Sequence, residues 1–193
     1  MTPLLLPALV PEVDDWRPRA LSASSLTRIA LDDPRGERPD GIGGTLRYDV
    51  GDAFWCAEHL PGVEVVAERI AAAARDHGFD VVLSTLPRSR FVLKAYRAPD
   101  GCQGWHFDTN GLTALVYLTD NPRDGATRVR LPDGTDYLVY PQAGALLLLR
   151  GRELWHKADP VREGVKLLLA VNLYPPRDLR RPDDLDETLY GPR

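Results

Sequence analysis

From residue 81 onward, apolar and polar positions alternate in short runs, and each run ends at a turn-forming sequence. The runs are VVLST (81–85), FVLKAYR (91–97), GWHF (104–107), LTALVYL (112–118), TRVRL (127–131), TDYLVY (135–140), ALLLLR (145–150), LWHKA (154–158) and VKLLLAVNLY (165–174). PDG, NPRDG, QAG, RG and REG separate them, supplying the Pro, Asp, Asn and Gly that tight turns require. Eight or nine short strands at this spacing predict an antiparallel sandwich or barrel. A jelly roll, the cupin-like double-stranded β-helix, is the commonest host. Before the strands the period changes. Val65, Val66, Ile70, Ala73 and Ala74 recur at helical spacing, predicting a helix over 62–77 that stops at Gly78 and backs a sheet. The fold class is therefore mainly β with flanking helices.

Residues 1–60 are rich in turn formers, and DDPRGERPDGIGG (32–44) reads as a long exposed loop. MTPLLLPALV lacks a basic n-region and contains two prolines, so it reads as a strand or docking arm and not as a signal peptide. The tail 175–193 is too rich in proline and charge to form a core element, and RDLRR (177–181) sits there among acids. One domain spanning 1–193 accommodates all of this: a support region over 1–80, a core over 81–174, and the tail.

Composition removes several classes of function. With 44% hydrophobic and 27% charged residues and a net charge of −4, the chain carries no broad basic field for a nucleic-acid backbone. Cys56 and Cys102 form no CxxC pair, which excludes a disulfide scaffold and a thiolate metal site. The longest apolar run, ALLLL (145–149), is far shorter than a membrane span and stops at Arg150. A cytoplasmic protein without membrane partners is expected, either monomer or homodimer.

The chemistry starts at GWHFDTN (104–110). In an extended segment His106 and Asp108 project to one face. Alone, the pair fits a loop ion pair as well as half of a metal site. His156, in ELWHKADP, is the natural third donor. Two imidazoles and one carboxylate cap one face of an octahedral ion and leave three positions open, the arrangement of non-haem iron(II) oxygenases. Zinc also accepts such donors, although a catalytic zinc site leaves one position open. Lys166 lies ten residues after His156 and alternates with Leu168 and Ala170. If those face inward, its ammonium is buried and needs an anion, which a dicarboxylate co-substrate would supply. Otherwise it snorkels to solvent from a strand end.

His106-x-Asp108, then His156, then a basic residue ten further on resembles the iron(II)- and 2-oxoglutarate-dependent dioxygenases, particularly their prolyl-4-hydroxylase-like branch. The resemblance covers roughly 91–174, through KAYRAPDGCQGWHFD, LTALVYLTD and VYPQAGALLLL…WHKADPV…GVK. It implies Fe(II) held by His106, Asp108 and His156, with 2-oxoglutarate and O2 as co-substrates. Tyr96 and Tyr117 match tyrosines that often contact 2-oxoglutarate there, and Lys166 matches the base that pairs with its distal carboxylate. Thr113 and Leu115 share a strand face with Tyr117 and are expected to line the same pocket. Oxidative decarboxylation to succinate and CO2 would accompany oxidation of an unactivated C–H. Because the halogenases of this family lack the carboxylate, Asp108 implies hydroxylation, desaturation or cyclisation.

Other residues carry alternatives. Arg162, six after His156, rivals Lys166 for the distal carboxylate. Arg88 and Arg90 are either solvated or hold an anionic group of the substrate, and Asn110 and Asn172 are candidate pocket residues. Trp105 and Trp155, next to the ligands, should point away and pack the shell, while His59 and His77 should lie at the surface or a helix end. Where the family has a Gly-Gly-x-Thr turn this chain has Asp124-Gly125-Ala126-Thr127, expected to be structural. Residues 1–80 match nothing in the family, so the substrate is open: a small molecule such as an amino acid or biosynthetic intermediate, or a peptide, with 32–44 a candidate lid. A cupin-type hydrolase or isomerase, or a non-catalytic jelly-roll binding domain, would leave Lys166 unexplained or the triad idle.

Overall fold

The computed structural model describes residues 2–31, 45–121 and 123–177; the expected loop over 32–44 and nearly all of the tail lie outside them. In chain order the elements are β1 (Leu4–Leu6), α1 (Val13–Ser22), β2 (Thr27–Leu31), β3 (Leu46–Gly51), α2 (Ala53–His59), α3 (Val63–Asp76) and β4 (Val82–Leu83). There follow β5 (Phe91–Arg97), β6 (Gly101–His106), β7 (Leu112–Tyr117), β8 (Thr127–Arg130), β9 (Asp136–Val139), β10 (Leu146–Leu149), β11 (His156–Val161) and β12 (Val165–Tyr174). Hydrogen bonding runs β1-β10-β7-β12-β5-β3-β6-β11-β8-β9, with β2 on β3 and β4 on β12. These pairings are antiparallel. This is a jelly-roll double-stranded β-helix.

Strand alternation sorts the core into two layers. On β12, Leu167, Leu169, Val171 and Leu173 join Phe91, Leu93, Ala114, Val116, Leu146 and Leu148 against the helices. The opposite parity, Leu168 and Ala170, joins Val92, Tyr96, Leu115, Tyr117, Leu147 and Leu149 inside the barrel. Each fully buried leucine contributes about 1.5–3 kcal/mol, so the helix-facing layer carries much of the stability.

Helix α3 forms where its periodicity predicts, but its buried stripe is Val63, Val66, Ala67, Ile70, Ala71 and Ala74. The face is rotated from the expected one, and Val65 is 71% exposed. The opening residues do form a strand, β1, which closes the sheet edge against β10. Residues 1–60 hold more regular structure than their turn formers imply. Helix α1 tolerates Pro18 and buries Val13, Trp16 and Ala20; the Trp16 indole donates to the Pro61 carbonyl at 3.0 Å. Strand β3 is central, bridging β5 to β6. Helix α2 starts on Asp52, whose carboxylate accepts from the Trp55 amide. Among the described residues no helix is long and apolar enough to cross a membrane.

Candidate active site

Strands β6 and β11 pair so that His106 stands directly opposite His156, and the imidazole centroids are 4.2 Å apart. Nδ1 of each ring lies 2.8 Å from a backbone carbonyl two residues earlier, Gly104 for His106 and Leu154 for His156. A carbonyl oxygen only accepts, so each Nδ1 carries the proton and each Nε2 presents a lone pair. Asp108 reaches between them, Oδ1 3.5 Å from His106 Nε2 and Oδ2 3.3 Å from His156 Nε2. The three donors lie within 4.8 Å of one another, a facial His-Asp-His set fit for a divalent cation.

The carboxylate is held from behind. Its Oδ2 accepts the Thr113 hydroxyl hydrogen, and Asn110 Nδ2 donates to Thr113 Oγ1 at 2.6 Å and to the Leu112 carbonyl at 2.8 Å. The Asp108 amide donates to the Gly151 carbonyl at 2.9 Å. Gly151 has no substitute, because a Cβ there would lie 2.3 Å from Asp108 Oδ2 and 2.5 Å from Thr113 Oγ1. Such outer contacts fix the orientation of metal ligands. Burial alone would raise the Asp108 pKa, but the neighbouring imidazoles hold it well below the usual carboxylate range. Burial, aided by His156, keeps His106 below its ordinary value and therefore neutral. Asp108 and His106 are thus in the protonation state a metal requires.

These residues open into a cavity of about 280 Å³. At its inner end is Lys166, which is 0% exposed. Its Nζ donates to Thr127 Oγ1 at 3.1 Å and sits 5.4 Å from the Tyr96 ring centroid and 5.8 Å from that of Tyr117. The described residues place no carboxylate against it. Burial pulls its pKa down to about 7, against the attraction of Asp159 and with a smaller contribution from Lys94. An anion arriving there meets a desolvated ammonium with no carboxylate in hydrogen-bond reach among the described residues. Tyr96 lines the cavity, and burial raises its pKa well above the ordinary value, so the phenol stays protonated. Leu115 and Thr113 line it as well. Tyr117 stands behind Thr127, donating to its Oγ1 at 2.8 Å, and does not reach the cavity wall.

The remaining candidates divide. Asn110 and Asn172 reach the cavity, Asn110 as the brace on Thr113 and Asn172 with its Nδ2 on the Ser89 carbonyl. Arg88 and Arg90 do not; Arg88 pairs with Asp52 at 2.9 Å, and Arg90 pairs with Glu64 and covers the Phe91 ring. Arg162 is exposed, and its backbone amide donates to Asp124 at 3.0 Å. Trp105 and Trp155 stack outside the cavity at 6.5 Å, with Arg130 and Lys157 over Trp105. His59 ends α2 against Trp55, and His77 caps α3.

Three cavity residues escaped the sequence. Thr127 belongs to the turn expected to be structural, and its hydroxyl joins Lys166 to Tyr117. Gln103 and Lys94 stand beside the triad, Gln103 Nε2 lying 2.9 Å from His106 Nε2. For Lys94 the available signal is parity, since it shares a strand face with Tyr96.

By sequence, no family model and no curated protein matches the chain. By structure, it resembles the carbocyclase SnoK, described as non-heme and alpha-ketoglutarate-dependent, from nogalamycin biosynthesis (TM-score 0.67, 17% identity, covering 99% of this chain and 86% of that one). It also resembles a prolyl hydroxylase from Trichoplax adhaerens bound to a hypoxia-inducible-factor peptide fragment (TM-score 0.66, 12% identity, 90% and 83% covered). A third is HygX from Streptomyces hygroscopicus, with nickel and 2-oxoglutarate bound (TM-score 0.63, 17% identity, 92% and 84% covered). The chain has the fold of the 2-oxoglutarate–Fe(II) oxygenases.

Proposed function

We propose that this chain is an iron(II)- and 2-oxoglutarate-dependent oxygenase that oxidises a C–H bond of a small molecule. The observation that carries the reading is the coincidence, in one cavity, of the His106-Asp108-His156 set with a buried ammonium whose hydrogen-bond partner among the described residues is a neutral hydroxyl. A metal hydrolase or isomerase would have no use for that cation, whose burial is unfavourable until an anion arrives.

His106 Nε2, His156 Nε2 and the Asp108 carboxylate would hold the iron. When bound, iron(II) and 2-oxoglutarate supply oxidation of a C–H by dioxygen, with succinate and CO2 released. Lys166 and Thr127 are disposed to receive the distal carboxylate and so fix the orientation of the diacid, with the Tyr96 ring beside the ammonium. Val92, Leu115, Leu168 and Ala170 line the rest of the cavity and exclude water from the reacting groups. The cavity volume, about 280 Å³, supports a compact substrate alongside the diacid.

Anaerobic addition of iron(II) and then 2-oxoglutarate tests the reading. A visible charge-transfer band, followed by succinate on admitting air, is the expected result. Absence of both ends the proposal. Comparing 2-oxoglutarate turnover with small molecules and with peptides then separates the two substrate classes.

A further inference from the structure

The cavity holds a second cation. Lys94 lies on β5 two residues before Tyr96 and on the same strand face, its Nζ 3.1 Å from Gln103 Oε1 and 5.2 Å from the Tyr48 ring centroid. It has no acidic partner among the described residues. Asp49, on the facing strand β3, is taken by Arg28 at 3.3 Å and Arg97 at 2.9 Å. Lys157, the other lysine of the wall, pairs with Asp159 at 3.0 Å, a carboxylate that Arg128 also holds at 2.8 Å.

Charge balance gives Lys94 its meaning, on the oxygenase reading above. Iron(II) brings +2, Asp108 −1, 2-oxoglutarate −2 and Lys166 +1, a sum of zero. Lys94 is left over as +1 in the cavity wall, in reach of a further anion. Gln103 aims it through Oε1, which accepts from Lys94 at 3.1 Å and from the Tyr96 hydroxyl at 3.0 Å. The ammonium is thereby held beside the triad. Farther along the same wall, the Ser89 hydroxyl is 2% exposed and has no hydrogen-bond partner.

We infer that Lys94 anchors a carboxylate of the substrate, with Gln103 positioning the ammonium and the Ser89 hydroxyl hydrogen-bonding a polar group farther along the wall. Val50, Val92, Leu168 and Ala170 then take the hydrocarbon between them. The substrate class is a compact carboxylic acid with an apolar body. One ammonium and one amide suit a monoanion; a phosphate dianion calls for more donors.

The test uses anaerobic protein loaded with iron(II) and saturated with 2-oxoglutarate, titrated by NMR with 3-phenylpropionate and its neutral isostere 3-phenylpropionamide. The parent should prefer the carboxylate by about tenfold or more, the size of one charge-assisted contact. Lys94→Met should abolish the preference, Lys94→Arg should retain part of it, and 2-oxoglutarate affinity should stay within about threefold of the parent. Equal binding of the two probes by the parent, no binding of either, or a preference that survives in Lys94→Met overturns the inference. So does a loss of 2-oxoglutarate affinity in Lys94→Met, which would assign the lysine to the co-substrate. A parent that fails to bind 2-oxoglutarate removes the oxygenase reading and this inference together, whereas intact 2-oxoglutarate binding without a Lys94-dependent preference removes the inference alone.

Discussion

Nζ of Lys166 is hydrogen-bonded to Oγ1 of Thr127 at 3.1 Å, a neutral partner for a wholly buried ammonium. The cation is held ready at a cost in stability, because a hydroxyl compensates desolvation less well than a carboxylate. Lys166→Met should therefore raise the melting temperature of the free protein or leave it unchanged. The same variant should weaken 2-oxoglutarate binding by about 2–3 kcal/mol, roughly 30- to 150-fold, with metal affinity unaltered. Calorimetric titration with the metal and then with the diacid separates the two. Undiminished 2-oxoglutarate affinity would move the role to Arg162, although its exposed position argues against that.

Proton linkage follows from the same residue. Its pKa is about 7 in the folded protein, against 10.5 for an ordinary lysine, so the unfolded chain binds the extra proton between those values. Stability should accordingly rise with pH from about 7 to 10.5, and the Lys166 penalty is fully present below 7. Binding of an anion has the opposite slope, since it requires the ammonium. Above pH 7 the 2-oxoglutarate affinity should fall by up to about tenfold per unit, with proton uptake seen as a buffer-dependent heat. Lys166→Met should flatten both profiles, and a parent profile that matches the variant's would refute the linkage.

Gly151 offers a test of the metal site that touches no ligand. A Cβ at this position would meet both Asp108 and Thr113, so Gly151→Ala must push the carboxylate out of the triad. Affinity for nickel(II) or manganese(II) should drop by about 10- to 100-fold, the range for disturbed outer contacts, while the fold remains intact by circular dichroism. Thr113→Val, which removes only the hydroxyl, should fall at the lower end. Parent-like metal binding in Gly151→Ala would mean that Asp108 is not a ligand.

How much of this was legible in the chain depends on where the signal lies. The strand series and the helix were readable because alternation and helical period are local. The inward parity of Lys166 followed from its two-residue spacing to Leu168 and Ala170, which pack inside the barrel. Strand β3 was overlooked beside its glycine-rich neighbours, although Leu46, Tyr48 and Val50 alternate with Arg47 and Asp49. Helix α1 was hidden by Pro18, even though Val13, Trp16 and Ala20 mark one face. Thr127 and Gln103 were illegible for a different reason: each acts across strands, and no local pattern reports which side chain stands opposite. The displacement of Tyr117 behind Thr127 has the same origin.

Arg88 and Arg90 precede the strand that carries Tyr96, and from the sequence alone either is a candidate to hold an anionic group of the substrate. Their partners give them another task. Arg88 pairs with Asp52, the residue that caps α2, and its carbonyl accepts the Ala53 amide at 2.9 Å; Arg90 pairs with Glu64 in the first turn of α3. Both tie helices to the outer face of the sheet and neither lines the cavity. Arg88→Ala should destabilise the protein by about 1 kcal/mol through the weakened cap and ion pair. Arg90→Ala should cost somewhat less, since its pair with Glu64 is more exposed. Neither change should alter 2-oxoglutarate affinity or the carboxylate preference assigned to Lys94. Chemical denaturation alongside ligand titration checks the pair, and a variant of unchanged stability with weakened carboxylate binding would return these arginines to the site.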